Sequence, residues 1–310
     1  MNEFAPIALF VYNRPAHTRQ CLEALMKNGL AEQSVLYIFS DGPKENTTAE
    51  QLDKIKEVRQ LLRENKWCKE IHIIEAAANK GIAASVLDGV NDVISRHGKI
   101  IVLEDDIITA TGFLKYMNDA LNLYEGDDKV MHVTGYMFPV KENVPETFFL
   151  FDGTCPWGWA TWKRAWKKYN DNAEEMHGEI ISSDEKSYEF NFRNTVDYLG
   201  MLKNDIPKSK DRNWDIRWHA TVFLCGGYGL WPGRAMLKNI GHDGSGIHCP
   251  PADHYTDESI LKEKITVSRI AIEDSPEARN AIIRFYERIK YPSMVKRVKN
   301  KISSLKRNIR

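Results

Sequence analysis

Two rhythms of apolar residues alternate through the first hundred positions. Residues 7–12, 35–39, 71–75 and 99–103 are short runs rich in apolar and β-branched side chains, too short for buried helices, and they read as strands. Between them the apolar residues recur at helical spacing. Cys21, Leu22, Leu25 and Met26 do so within 16–27; Leu52, Ile55, Val58, Leu61 and Leu62 do so up to 64, behind Thr47 or Thr48 as a cap. Ile82, Val86, Leu87, Val90 and Ile94 follow the turn Asn79-Lys80-Gly81 in the same way. Such a succession of βα units predicts an α/β fold, a mostly parallel sheet flanked by helices on both faces.

Beyond residue 110 the rhythm loosens. A helix is expected over 113–124, strands over 130–133, 148–151 and 228–231, and further helices over 186–203 and from Trp214 onward. Trp157, Trp159, Trp162 and Trp166 crowd ten positions and make up half of the eight tryptophans. The last three have helical spacing, which suits a helix anchored in the core. Trp157, before Gly158, lies outside that spacing and is a candidate wall for a sugar ring.

Composition narrows the class. Hydrophobic content of 43% in 310 residues is enough for a real core, as one large domain or two small ones. Basic and acidic residues balance at 43 each, so net charge points to no nucleic-acid partner. No apolar stretch approaches the roughly 18 residues of a spanning helix. Met1-Asn2-Glu3-Phe4 leads straight into a strand-like run without the pattern of a secretory leader. Five scattered cysteines have no metal-type spacing. A cytoplasmic protein is expected. From Arg284 onward ten Lys or Arg stand against Glu287 alone, interspersed with apolar residues, a pattern that suits either a solvated terminal helix or an anionic membrane face.

The chemistry gathers at strand ends. The run 100–103 stops at Glu104, Asp105 and Asp106, and carboxylates so crowded repel unless a cation relieves them. In a parallel sheet those acids, the turn Asn13-Arg14-Pro15 and the turn Ser40-Asp41-Gly42 share one edge, with Asn79-Lys80-Gly81 beside them; ligands bind there in such folds. Asp215 sits in the first turn of a helix, as a cap or as a general base. His242 and His248 lie in a glycine-rich loop that suits phosphate or metal. No Gly-x-Gly-x-x-Gly or Walker loop is present, which weighs against dinucleotide oxidoreductases and P-loop phosphotransferases.

Taken in order, Phe10-Val11-Tyr12-Asn13-Arg14-Pro15, Ser40-Asp41-Gly42, Asn79-Lys80-Gly81, Leu103-Glu104-Asp105-Asp106, Trp157-Gly158-Trp159 and Trp214-Asp215 resemble the motifs of GT-A-type glycosyltransferases. The likeness is to bacterial surface-polysaccharide enzymes similar to N-acetylglucosaminyltransferase I, over roughly residues 5–250. It implies a Rossmann-like GT-A fold with a nucleotide-sugar-binding half at 1–110, an acceptor-binding and catalytic half at 111–255 and a basic helical tail at 256–310. It implies that Asp106, with His242 or His248, holds Mn²⁺ or Mg²⁺. Arg14, Asp41, Asn79, Gly81, Glu104 and Asp105 would bind a nucleotide sugar, Asp41 reading the base. Asp215 would be the base of an inverting reaction, and Trp157, Trp159 and Trp214 would face a saccharide or lipid-linked glycan acceptor. Lipopolysaccharide, O-antigen or capsule synthesis at the inner face of the membrane would be the setting. Two departures stand out: the acid motif is Glu-Asp-Asp in place of the commoner Asp-x-Asp, and nothing after residue 255 matches.

Two rivals are weighed against this reading. A sugar-nucleotide nucleotidyltransferase shares the fold but needs a basic glycine-rich loop after the first strand, which Asn13-Arg14-Pro15 is not. A non-catalytic carbohydrate-binding protein would account for the tryptophans and leave the acids unexplained.

Overall fold

A computed structural model describes residues 4–206, 213–244 and 264–290. The first four strands, β1 (Ile7–Val11), β2 (Val35–Ser40), β3 (Glu70–Glu75) and β4 (Lys99–Glu104), alternate with helices α1 (Pro15–Met26), α2 (Ala49–Leu61) and α3 (Ile82–His97), as the apolar rhythm predicts. Local signals mark the boundaries. Pro15 opens α1, Thr48 caps α2 by accepting from Gln51 N, and Gly98 ends α3 in the left-handed conformation. The chain continues through β5 (Ile107–Thr109), α4 (Phe113–Leu123), β6 (Val130–Thr134), β7 (Thr147–Phe151), β8 (Trp159–Trp162) and a single turn α5 (Lys163–Trp166). Three short helices follow, α6 (Ala173–Ile180), α7 (Asp184–Phe190) and α8 (Tyr198–Asp205). Then come α9 (Trp214–Leu224), β9 (Tyr228–Pro232), β10 (Leu237–Asn239) and α10 (Pro276–Lys290).

Eight strands make one sheet in the order β3-β2-β1-β4-β8-β6-β9-β7. β8 is antiparallel to both β4 and β6, and β7 is antiparallel to β9; the remaining six run the same way. The sheet is therefore mostly parallel. β1 is buried along its whole length because alternate side chains enter two cores. Ile7, Leu9 and Val11 meet Cys21, Leu22, Leu25, Val58 and Leu61 of α1 and α2. Ala8 and Phe10 meet Val86, Val90, Val93 and Ile94 of α3 on the other face. Each fully buried aliphatic chain contributes roughly 1.5–3 kcal/mol.

Three expectations are corrected by packing. The helix foreseen over 186–203 is two helices, because Phe192, Arg193 and Asn194 adopt left-handed backbone in succession, with φ of 49°, 56° and 60°. Trp159 and Trp162 belong to strand β8, where pairing with β4 overrides a spacing that suited a helix. Residues 264–290 are built into the same core as β1: Ile265, Ala278, Ala281, Ile282 and Phe285 are buried in it. On α10 the apolar stripe therefore faces protein. Two of its cations pair with Glu142 (Arg284 at 2.8 Å, Arg288 at 3.2 Å), and Lys290 donates to Thr195 O at 2.6 Å. The expected membrane face of the tail is not on α10; residues 291–310 lie outside the described ones. No helix among the described residues is long and apolar enough to cross a membrane.

The connection from β7 to β8 sets up the site. Both strands run against the parallel set, so β7 ends at one edge of the sheet and β8 begins at the other. Residues 152–158 must climb the sheet face between them. They pass so close to β9 that a Cβ on Gly229 would lie 1.7 Å from the Gly153 carbonyl oxygen. Neither backbone can give way, so Gly229→Ala is expected to cost about 3 kcal/mol or more, at or beyond the upper end of ordinary overpacking. Thermal unfolding of the purified variant measures this; an unchanged midpoint would mean that the climbing segment is free to shift.

Candidate functional site

The carboxyl ends of β1, β2 and β4 converge, as their parallel pairing requires. Arg14, at the N-cap of α1, donates from one guanidinium nitrogen to Asp105 Oδ1 and, at 2.9 Å, to Asp106 Oδ2. Asp105 and Asp106 are 3% and 5% exposed. Asp106 Oδ1 is buried with no hydrogen-bond partner, an exception to the rule that buried polar atoms are paired. The turn after β10 closes over this acid. Ile240 N donates to Asp106 O at 2.9 Å, and a Cβ on Gly241 would stand 2.2 Å from Asp106 Oδ2, so a side chain there would have to push the carboxylate off its bond to Arg14. The same turn is tied to α1, with His17 Nε2 3.1 Å from Asp243 Oδ2.

The electrostatics are those of crowded, desolvated acids. Burial pushes Glu104 well above the usual carboxylate range, and the charges of Asp106, Asp105 and Asp215 push it further. Asp215, 111 residues away in sequence, thus belongs to the same field. Burial raises Asp105 to about 6 against the pull of Arg14. Burial lowers the Arg14 guanidinium, but the two aspartates outweigh it and its pKa rises.

Asp41 is engaged differently from the expectation. Its Oδ1 accepts from Gly42 N (2.8 Å) and Lys80 N (2.9 Å), and its Oδ2 accepts from Asn79 Nδ2 (2.8 Å) and Gly81 N (3.0 Å). Those four bonds use the acceptor capacity of a carboxylate. Reading a base through this side chain is corrected to bracing: Asp41 ties the end of β2 to the start of α3, and Asn79 is spent on the same brace. Arg59 reinforces it by donating to Ala76 O at 2.7 Å.

Among the tryptophans only Trp157 is partly exposed. Its ring meets Tyr136 edge-on at 4.6 Å and His242 at 5.4 Å, beside the acids. Trp159 and Trp214 are 0% and 5% exposed and stack on each other at 5.2 Å. Their expected contact with an acceptor is corrected, since a sugar face cannot reach them. The other five tryptophans are buried too, which removes the main support for a carbohydrate-binding module. The metal set expected from Asp106 with His242 or His248 is not formed either. No three His, Cys, Asp or Glu side chains among the described residues are disposed around a cation, and His248 lies outside those residues. Arg14 supplies the positive charge beside Asp106.

Two residues of the site region escaped sequence reasoning. His132 on β6 and Thr154 on the climbing segment both bond across to other elements, and each is an isolated polar residue with no motif around it.

No protein-family model matches the sequence, and no curated protein matches it. Among solved structures, the chain is similar to the mannosyltransferase PcManGT from Pyrobaculum calidifontis in complex with GDP-Man and Mn²⁺. That match has 11% identity and a TM-score of 0.40, over 71% of this chain and 70% of that one. It is similar to S. aureus TarS at 14% identity and TM-score 0.34, over 54% of this chain and 30% of that one. It is similar to a UDP-glucose pyrophosphorylase complexed with UDP-glucose at 9% identity and TM-score 0.37, over 76% and 91%. Likenesses this slight identify neither a reaction nor a residue's role.

The acid cluster costs stability, and the cost has a pH signature. A carboxyl whose pKa is raised on folding keeps a proton that the unfolded chain releases. Stability therefore falls as pH rises from the ordinary value of 3.8 to about 6 for Asp105, and Glu104 acts in the same direction. Glu104→Gln removes one of the repelling charges. Its unfolding midpoint without ligand at pH 7 is expected above that of the wild type, by roughly 2–4 °C per kcal/mol relieved, with the difference shrinking toward pH 4. Differential scanning fluorimetry across that range reads both effects, and a lower midpoint for the variant would mean the carboxylate is stabilising.

Proposed function

We propose that this chain is a glycosyltransferase that moves a sugar from a nucleotide-sugar donor to a saccharide or lipid-linked acceptor, with inversion at the anomeric carbon. The observation that carries the reading is the sharing of one electrostatic field by Glu104, Asp105, Asp106 and Asp215 beside Arg14, at the ligand-binding edge of the sheet. Arg14 compensates only part of this negative charge, and a divalent cation carrying a diphosphate would relieve the rest.

A divalent cation fits this site. Asp106 Oδ1 is buried and unpartnered, and magnesium-type ions are commonly held by one or two carboxylates together with substrate phosphates, without a full protein cage. Asp106, with Asp105 beside it, would hold the ion, which supplies Lewis-acid neutralisation of the departing diphosphate. Arg14 offers a guanidinium to the same phosphates, a charge-assisted contact that would release its hold on the two aspartates. Asp215, at the start of α9, accepts the proton of the acceptor hydroxyl, which is too weak an acid to attack unaided. Trp157 offers its partly exposed ring to the acceptor. The two ends of the reaction, leaving group and base, are thereby held by different elements, β4 and α9. Assembly of a bacterial surface glycan is the setting that the sequence resemblance suggests.

Thermal unfolding with UDP, GDP, CMP or dTDP, each with and without Mn²⁺, tests the reading. One nucleoside diphosphate is expected to raise the midpoint only with the metal; a hundredfold excess over Kd adds about 2.7 kcal/mol. Asp106→Asn abolishes that shift. Asp215→Asn keeps it while losing sugar transfer by about 100-fold or more. No shift with any nucleotide would overturn the proposal.

A further inference from the structure

His132 lies outside the acid cluster, yet it bonds both the helix that carries Asp215 and the segment that carries Trp157. It is 1% exposed on β6, beneath the climbing segment and beside α9. Trp218 Nε1 donates to its Nδ1 at 3.1 Å. Its Nε2 lies 3.2 Å from both the carbonyl oxygen and the amide nitrogen of Cys155; because Nδ1 accepts from the indole N–H, a neutral ring carries its proton on Nε2 and donates it to Cys155 O. Its ring stacks on Trp159 at 5.5 Å and 12°, and Trp159 stacks in turn on Trp214, the neighbour of Asp215. Trp218 is one turn beyond Asp215 on α9, and Cys155 is two residues before Trp157. A second strut, Thr154 Oγ1 to His219 Nδ1 at 3.0 Å, joins the same two elements farther from the acids.

We infer that His132 is a positioning residue that fixes the distance between Asp215 and the Trp157 ring by bonding α9 with one edge of its imidazole and the climbing segment with the other. The inference rests on the proposed roles of Asp215 and Trp157 for its functional meaning; its structural content stands without them. Each half of the spacing has its own reason to need a pin. Residues 152–158 belong to no strand, and the start of α9 lacks a side-chain cap. A neutral imidazole suits the task because it offers one donor and one acceptor in opposite directions within a rigid ring. Burial holds it neutral, lowering its pKa to about 3.

The test uses the full chain labelled with 5-fluorotryptophan, with resonances assigned by single Trp→Phe substitutions. His132→Phe keeps the ring and the stack but neither bond; it is expected to move or broaden the ¹⁹F signals of Trp157 and Trp214. His132→Gln, which keeps an amide donor within reach of Cys155 O, restores the Trp157 signal toward wild type. Trp218→Phe removes the α9 bond from the other side and is expected to move the Trp157 signal as well, which covers the case where His132→Phe does not fold. Trp157 and Trp214 signals unchanged in the foldable variants would overturn the inference. In turnover with the donor identified by the nucleotide series, kcat in His132→Phe falls about 100-fold, the penalty of an ångström-scale misplacement, while the donor KM stays within about twofold. An unchanged kcat beside moved signals would overturn the catalytic importance of the spacing. Failure of every nucleotide to bind would overturn the glycosyltransferase reading and leave the ¹⁹F result standing.

Discussion

The crowded acids Glu104, Asp105 and Asp106 at the end of β4, with Asp215 acting on them and Arg14 as the cation that bonds two of them, form the constraint around which the rest of this protein is arranged. Acids buried this closely favour protonation, separation or a counter-charge. The fold prevents separation. Glu104 ends a strand that pairs on both sides, and Asp106 is held through its own carbonyl by Ile240 N. What remains is counter-charge, supplied by Arg14 at the mouth of α1. One guanidinium against this many carboxylates leaves repulsion that a further cation would relieve.

The scaffold around the acids is correspondingly stiff. Asp41 uses all its acceptor capacity to lock the end of β2 onto the start of α3, and Arg59 bonds the same loops from behind. Gly241 lets the turn after β10 approach Asp106 without displacing its carboxylate. His17 joins that turn to α1. Each device spends a residue that looks like a ligand-binding group on holding another in place. Sites that must keep like charges together depend on such outer supports as much as on the charges themselves.

The second half of the chain contributes a different kind of order. The segment 152–158 crosses the sheet face because both its flanking strands run against the parallel set, and this crossing carries Trp157 to the acid edge. α9 lies alongside with Asp215 at its leading end. Residues 264–290 complete the core on the far side: Asp274 accepts from Phe151 N, and Arg279 donates both to Asp274 and to Phe151 O. Helix α10 and the residues before it therefore brace the strand from which the climbing segment departs.

The sequence by itself determined the βα rhythm, the parallel core and the gathering of Arg14, Asp41 and the acid triplet at one edge. These follow from local periodicity together with the rule that parallel strands put their carboxyl ends on the same side. Tertiary structure decided which of the gathered residues are taken up by their own neighbours. Asp41 and Asn79 carry the right chemistry in the right place, but neighbouring backbone N–H groups and a side-chain amide consume it. The family resemblance puts Trp159 and Trp214 against an acceptor, but pairing within β8 buries one and stacking on it hides the other. His132 had no signal at all, because its partners Cys155 and Trp218 lie 23 and 86 residues away and meet it only once the chain has climbed the sheet. Periodicity reports which side of an element is buried. It says nothing of which buried polar atoms find each other, since that depends on contacts between elements far apart along the chain.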